Sequence, residues 1–392
     1  MTGRLRFIFL IISGMTVLMA NTPAAGDSVF VRRVTHDIEL AASGGYNLPT
    51  HGYYNGYNPD GKPVIGNSSL HLRYGFSFTP MTHLGKLYPD VIQGAGLSAS
   101  TFFEHKLMGS PVTAYIFQKA RLFELKPGIN VNYSWELGLS TGWKRTEMIA
   151  TTSNVYVNVG IDLSCDISRR TTLSIGPEFS HFSNGDTCYP NGGANLINIK
   201  AIFTSHLTTC DMARDRSYIT DYEIELKDRR IADRISIDLI ALGGWRAGKV
   251  TSGTYASINE TFPVYALAIT PLYRLNRHLM TGVSLDLLAD RSANLYDIVK
   301  DPDTRDILSY RQPPVNKQMA VGMSLRMDIS MPIFTVGAGV GGFVLGSGNL
   351  RGIYSMFSLK TFLTDRLFLN VTYRLSAENY THNLLYGIGY RL

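Results

Sequence analysis

The feature that most constrains this chain is a period of two that recurs along most of its length. Residues 155–165 place Val155, Val157, Val159, Ile161, Leu163 and Cys165 on one side, and Tyr156, Asn158, Gly160, Asp162 and Ser164 on the other. Successive side chains of an extended strand point to opposite faces, so this segment has one face in an apolar medium and one wet. Leu70, Leu72, Tyr74, Phe76 and Phe78 alternate in the same way with Ser69, His71, Arg73, Gly75 and Ser77. The pattern returns over 129–143, 235–245, 319–329 and 367–375. Strands of soluble sandwiches average about five or six residues, whereas segments of about ten suit a tilted membrane crossing.

The fold class expected is therefore all-β, a transmembrane antiparallel β-barrel of a bacterial outer membrane with about sixteen strands. Tight connections at 166–170, 275–277, 330–332 and 364–366 alternate with long ones at 47–67, 248–263 and 289–318. Short turns on one side and long loops on the other fit periplasm and exterior. The polar stretch 208–234 breaks the rhythm, as a linker, a short helix or a domain boundary. Leu384, Tyr386, Ile388, Tyr390 and Leu392 alternate to the last residue, as a closing strand would. One closed barrel is the first expectation, and an eight-stranded barrel followed by a second β module is the alternative.

Export is read from the first 26 residues. Arg4 and Arg6 precede an apolar run at 7–20 and small residues at 21–26, which predicts a signal peptide over 1–25. Only 17% of residues are charged, against 22 Tyr and 37 Gly, a balance that suits aromatic girdles and crowded strands. Cys165, Cys188 and Cys210 are too few for a disulfide framework and match no zinc spacing. The net charge of +6 is modest. Export points away from nucleic acid as a partner, so lipopolysaccharide phosphate is the more natural anion.

One segment departs from plain barrel sequence. Residues 178–185 read Glu-Phe-Ser-His-Phe-Ser-Asn-Gly, and Asn195 opens the next strand after an exterior loop. Two-residue spacing puts His181 and Ser183 on the lipid-facing side, and the hairpin brings Asn195 to them. A serine hydroxyl is a weak nucleophile until a histidine takes its proton, and the histidine needs a third group to fix its tautomer. Ser183, His181 and Asn195 fit these roles, with the backbone N–H groups of Asn184 and Gly185 as oxyanion donors. Polar groups aimed at lipid are costly without a function.

His181-x-Ser183-Asn184 and Pro190-Asn191-x-Gly193, with a polar residue at 195, resemble the lipid A 3-O-deacylase (PagL-type) family and the related acyloxyacyl hydrolases. The resemblance implies a serine esterase acting from the outside of an eight-stranded barrel, with His181 as base and Ser183 as nucleophile. It covers 34–207, followed by the polar connection 208–234 and the remaining strands 235–392, which lie outside it. That family carries glutamate where this chain has Asn195. Outer-membrane phospholipase A is similar in its His-x-Ser-Asn-Gly run and in an asparagine twelve residues after the serine. That likeness implies a calcium requirement; the deacylase likeness implies no cofactor. Both place acyl chains of lipid A or phospholipid at the site, near the exterior leaflet.

Other residues carry less. Glu178 faces the lumen, Asp186 is the substitute for Asn195 as orienter, and Cys188 has no accompanying base. The aromatic loop 51–57 has the composition of a glycan contact or an interfacial girdle. The non-enzymatic reading is a porin or adhesin, for which sixteen strands would allow an open lumen.

Overall fold

The computed structural model describes residues 33–208, 216–250, 256–300, 307–376 and 382–392; the expected signal peptide and Cys210 lie outside them. The first eight strands are β1 (Val34–Asn47), β2 (Gly66–Phe78), β3 (Val91–Thr101), β4 (Gly109–Lys126), β5 (Ile129–Trp143), β6 (Ser153–Ser168), β7 (Thr171–Ser183) and β8 (Ala194–His206). They form a closed antiparallel barrel, sealed where β1 pairs with β8 at Leu40↔Phe203. A second closed barrel follows, from β9 (Ile235–Val250), β10 (Ala256–Arg274), β11 (Leu279–Asp290), β14 (Met319–Ser330), β15 (Phe334–Leu345), β16 (Ile353–Phe362), β17 (Leu367–Ser376) and β18 (Asn383–Arg391). β12 (Tyr296–Lys300) and β13 (Ile307–Arg311) form a separate hairpin above it.

The sixteen barrel strands thus close as two rings of eight, the alternative arrangement, and not as one ring. The terminal strand β18 seals only the second ring, pairing with β9 at Ala241↔Ile388. Nor is 248–263 a loop: β9 and β10 continue as a paired ribbon, with Ser257 opposite Lys249.

The alternation explains the faces. Leu70, Leu72, Val159, Ile161, Ile175, Ile197 and Leu325 project outward and are exposed, while Asn158, Asp162, Ser164 and Asn198 are buried in the lumen. An eight-stranded barrel is just wide enough for side chains to fill it. In the first barrel Arg73 reaches Glu39 at 2.6 Å and Glu136 at 3.1 Å, and Lys200 reaches Glu136 at 2.7 Å and Glu178 at 2.6 Å. Toward the loop end an aromatic plug closes the lumen, with Phe102 on Trp143 at 5.3 Å and Trp143 on Phe182 at 4.9 Å. The second lumen holds Arg246 with Asp290 at 2.9 Å and Arg326 with Asp286 at 2.6 Å. The wide channel that sixteen strands in one ring would enclose is therefore not formed.

The barrels touch at both ends. At the short-turn end, Trp135 of β5 meets Phe334 at 5.0 Å between ring centroids, and Ile333 N–H donates to Gln93 Oε1 at 3.2 Å. Tyr88 donates to the Arg277 carbonyl at 2.7 Å, and burial pushes its phenol up to about 12. The helix Arg216–Asp228 lies across this end: Tyr218 Oη bonds His83 at 2.7 Å, and Glu223 accepts from Arg277 N–H at 3.0 Å. At the loop end, Ala247 N–H of β9 donates to the Asp186 carbonyl at 2.9 Å. Strands tilted by roughly 35–45° travel far around a barrel over their length. That tilt lets the lower ends of β3–β5 and the loop after β7 face the same neighbour.

Candidate active site

The last turnward residues of β7 carry the singled-out pair. Phe182, between them, points inward and packs against Trp143 and Tyr156, both at 4.9 Å, so the strand is anchored in the aromatic plug. His181 and Ser183 consequently point outward, half-buried, on the same face as the exposed Phe179 and Ile175. Register places Asn195 of β8 directly opposite His181.

His181 Nδ1 lies 2.7 Å from Asn195 Oδ1. An amide oxygen only accepts, so Nδ1 carries a proton in this contact, and in the neutral ring the lone pair is then on Nε2. The Asn195 amide is itself oriented: its Nδ2 donates to Thr50 Oγ1 at 3.2 Å, leaving Oδ1 for the ring. Ser183 Oγ accepts from Gly185 N–H at 3.4 Å. Among the described residues no hydrogen bond joins His181 to that hydroxyl; the two are neighbours on one strand face, and closing the pair takes a side-chain rotation.

Gly193 shapes the same place. It has φ +65°, and a Cβ built on it would lie 2.8 Å from the Phe182 carbonyl oxygen, 3.3 Å from His181 Cε1 and 3.7 Å from Ser183 Cβ. Both the backbone conformation and the approach to the pair require glycine here. Tyr54, fully buried, donates to the Gly193 carbonyl at 3.2 Å, and burial holds its phenol far above the usual range.

The loop between β7 and β8 corrects two expectations. Asn184 N–H donates to Asn191 Oδ1 at 3.0 Å, so it is not free for an oxyanion, whereas Gly185 N–H is directed at Ser183 Oγ, 3.4 Å away. Asp186 does not orient His181: its carboxylate accepts from Asn191 Nδ2 at 2.9 Å and also meets Tyr189. Burial, reinforced by that carboxylate, pushes the Tyr189 phenol up. Glu178 sits in the lumen with Lys200 and Asn158. Cys188 is a free, half-buried thiol whose hydrogen bond goes to the Tyr189 carbonyl at 3.7 Å. His51 and Tyr53–Tyr54 of the aromatic loop cap a short helix and plug the barrel mouth, leaving Tyr57 exposed. Among the described residues no group of three or more His, Cys, Asp or Glu is gathered for a metal, and no helix is long and apolar enough to cross a membrane.

Thr50 is not legible as a partner of Asn195 in the sequence, because it stands 145 residues away in the chain and threonine in a loop gives no signal. Asn191 was visible as a motif residue, but its part as a bridge across the loop was not.

Comparison with known proteins places a family likeness on the second barrel. Residues 235–392 match the model of the acyloxyacyl hydrolase C-terminal domain, a part of the chain to which the motif resemblance does not extend. No curated protein matches by sequence. Among solved structures, Neisserial surface protein A is similar at 6% identity over 43% of this chain and 96% of that one, with a TM-score of 0.30. The outer membrane protein Omp33 of Acinetobacter baumannii is similar at 7% identity over 92% and 100%, with a TM-score of 0.19.

Proposed function

We propose that this chain is an outer-membrane serine esterase hydrolysing acyl esters of lipid A from the outer leaflet, a reading supported by the match of residues 235–392 to the acyloxyacyl hydrolase C-terminal domain. The observation that carries the reading is the 2.7 Å bond from His181 Nδ1 to Asn195 Oδ1 on the lipid-facing side, with Ser183 two positions along the same strand face. A structural polar pair would have no need of a fixed tautomer, a second orienting bond from Asn195 to Thr50 and a glycine wall at 193.

The chemistry follows from these groups. His181 Nε2 takes the Ser183 proton as Oγ bonds to the ester carbon, and the carbonyl oxygen, now an oxyanion, faces Gly185 N–H. Collapse breaks the bond to the ester's alkoxy oxygen, which leaves as an alcohol with the proton from His181. Water then adds to the acyl-serine with His181 again as base, releasing fatty acid and restoring Ser183. Asn195 orients the imidazole without supplying the negative charge that glutamate would.

The phospholipase A-like reading uses the same residues and differs in substrate and in calcium. Mass spectrometry of lipid A and phospholipids from cells with and without the protein decides between them. Lipid A lacking one acyl chain is expected, with activity insensitive to a calcium chelator. Intact lipid A beside accumulating lysophospholipid would move the assignment to phospholipase A, and no change in either class would favour the porin or adhesin reading.

The orienting residues should contribute in graded steps. Asn195→Ala leaves the Ser–His pair present but wandering, and is expected to retain roughly ten- to a hundred-fold more activity than removal of the nucleophile. Thr50→Val removes a single neutral hydrogen bond to the orienter, worth roughly 1 kcal/mol, and should lower kcat about five-fold. Steady-state kinetics on purified lipopolysaccharide checks both; equal losses in the two variants would contradict this ordering.

A further inference from the structure

We propose that the second barrel is a positioning half of the esterase site, with Leu384 and Ala247 holding the turn that aims Gly185 N–H at Ser183. The inference rests on Ser183 being the nucleophile.

The turn after the nucleophile is unusual in its backbone. Gly185 at φ +67° is followed by Asp186 at φ +63°, two successive left-handed residues, the second with a Cβ. Such conformations persist when the surroundings over-determine them. Asn191 ties the two ends of the turn, at Asn184 N–H and the Asp186 carboxylate. The middle is held from the other barrel. A Cβ built on Gly185 would lie 2.8 Å from Leu384 Cδ2 and 2.9 Å from Leu384 Cβ, so the β18 side chain is seated directly against this glycine. Ala247 N–H of β9 donates to the Asp186 carbonyl at 2.9 Å.

Burial agrees with this contact. Along the outward faces of β9 and β18, Trp245 and Ile388 are 58% and 57% exposed, as lipid-facing positions should be, yet Ala247 and Leu384 are 1% and 5% exposed. The same parity meets lipid farther along each strand and meets the nucleophile loop at the exterior end. An oxyanion donor displaced by about 1 Å forfeits on the order of a hundred-fold in rate, so a support two contacts from the chemistry matters.

The test uses the full mature chain in detergent and follows fatty-acid release from lipopolysaccharide in mixed micelles. Leu384→Ala should lower kcat roughly ten- to a hundred-fold with KM within about two-fold, because the lost interaction belongs to the transition state. Leu384→Met should restore most of the rate. In a Cys165→Ser, Cys210→Ser background, maleimide should label Cys188 faster when Leu384→Ala is added, since the loop is then held from one side. Unchanged kcat and unchanged labelling would overturn the proposal, as would a rise in KM alone. If Leu384→Ala gives no folded band, Leu384→Val applies the same test in a smaller step. If the wild-type chain releases no fatty acid, the esterase reading fails, and the labelling rate alone decides whether the second barrel holds the loop.

Discussion

Ser183→Ala is expected to abolish fatty-acid release from lipopolysaccharide, by roughly 10⁴-fold or more, while leaving a folded barrel that still migrates fast in unboiled gels. The separation is anticipated because the hydroxyl does little for folding. Ser183 ends β7, is half-exposed, and its Oγ makes one long contact, 3.4 Å from Gly185 N–H. The strand is anchored by Phe182, which the substitution does not touch. His181→Ala should cost a comparable amount, and the double variant little more, since groups that act as a unit are far from additive. Retained hydrolysis in Ser183→Ala would remove this serine from the mechanism. A loss of the fast-migrating form would instead assign it a structural part.

Much of the fold could be read from alternation because lumen and lipid demand opposite side chains at successive positions. Leu70, Leu72 and Ile161 face out, and Asn158 and Asp162 face in. What alternation cannot carry is closure. Whether β8 turns back to β1 or pairs onward depends on partners such as Leu40 and Phe203, distant in sequence and interchangeable with any other apolar pair. The polar interval 208–234 was the local sign of a break, and it holds the helix Arg216–Asp228 between the rings. At the candidate site, His181, Ser183 and Asn195 were legible because strand parity and one hairpin suffice to gather them. The Asn184 N–H, expected as an oxyanion donor, goes instead to a side chain seven residues on, a partner that a backbone N–H does not announce in the sequence. The part played by the second barrel was not legible, since Leu384 and Ala247 look like any other lipid-facing residues until a loop is found lying on them.

Arg73→Leu is expected to destabilise the first barrel by about 3–5 kcal/mol, the range for breaking a buried ion pair from one side. The lumen holds a chain of charges in which Glu136 bridges Arg73 and Lys200, Arg73 also serves Glu39, and Lys200 also serves Glu178. Arg73 and Glu39 are almost wholly buried, and they meet at 2.6 Å as an ion pair without the alignment of a hydrogen bond. Replacing Arg73 leaves Glu39 with the Thr204 hydroxyl, 3.1 Å from Oε1, as its remaining partner. It also strips the cation from the face of Phe117, 4.6 Å away. Glu136→Gln is the informative contrast. It removes the central carboxylate, yet Arg73 keeps Glu39 and Lys200 keeps Glu178, so every remaining charge retains an opposite neighbour. The two variants should therefore separate, with Arg73→Leu losing its fast-migrating form at a lower temperature and a lower urea concentration than Glu136→Gln. Equal losses would mean that the lumen tolerates an unpaired carboxylate, as it would if water reached Glu39 through the barrel. The aromatic plug at the loop end would then not keep water from the lumen charges.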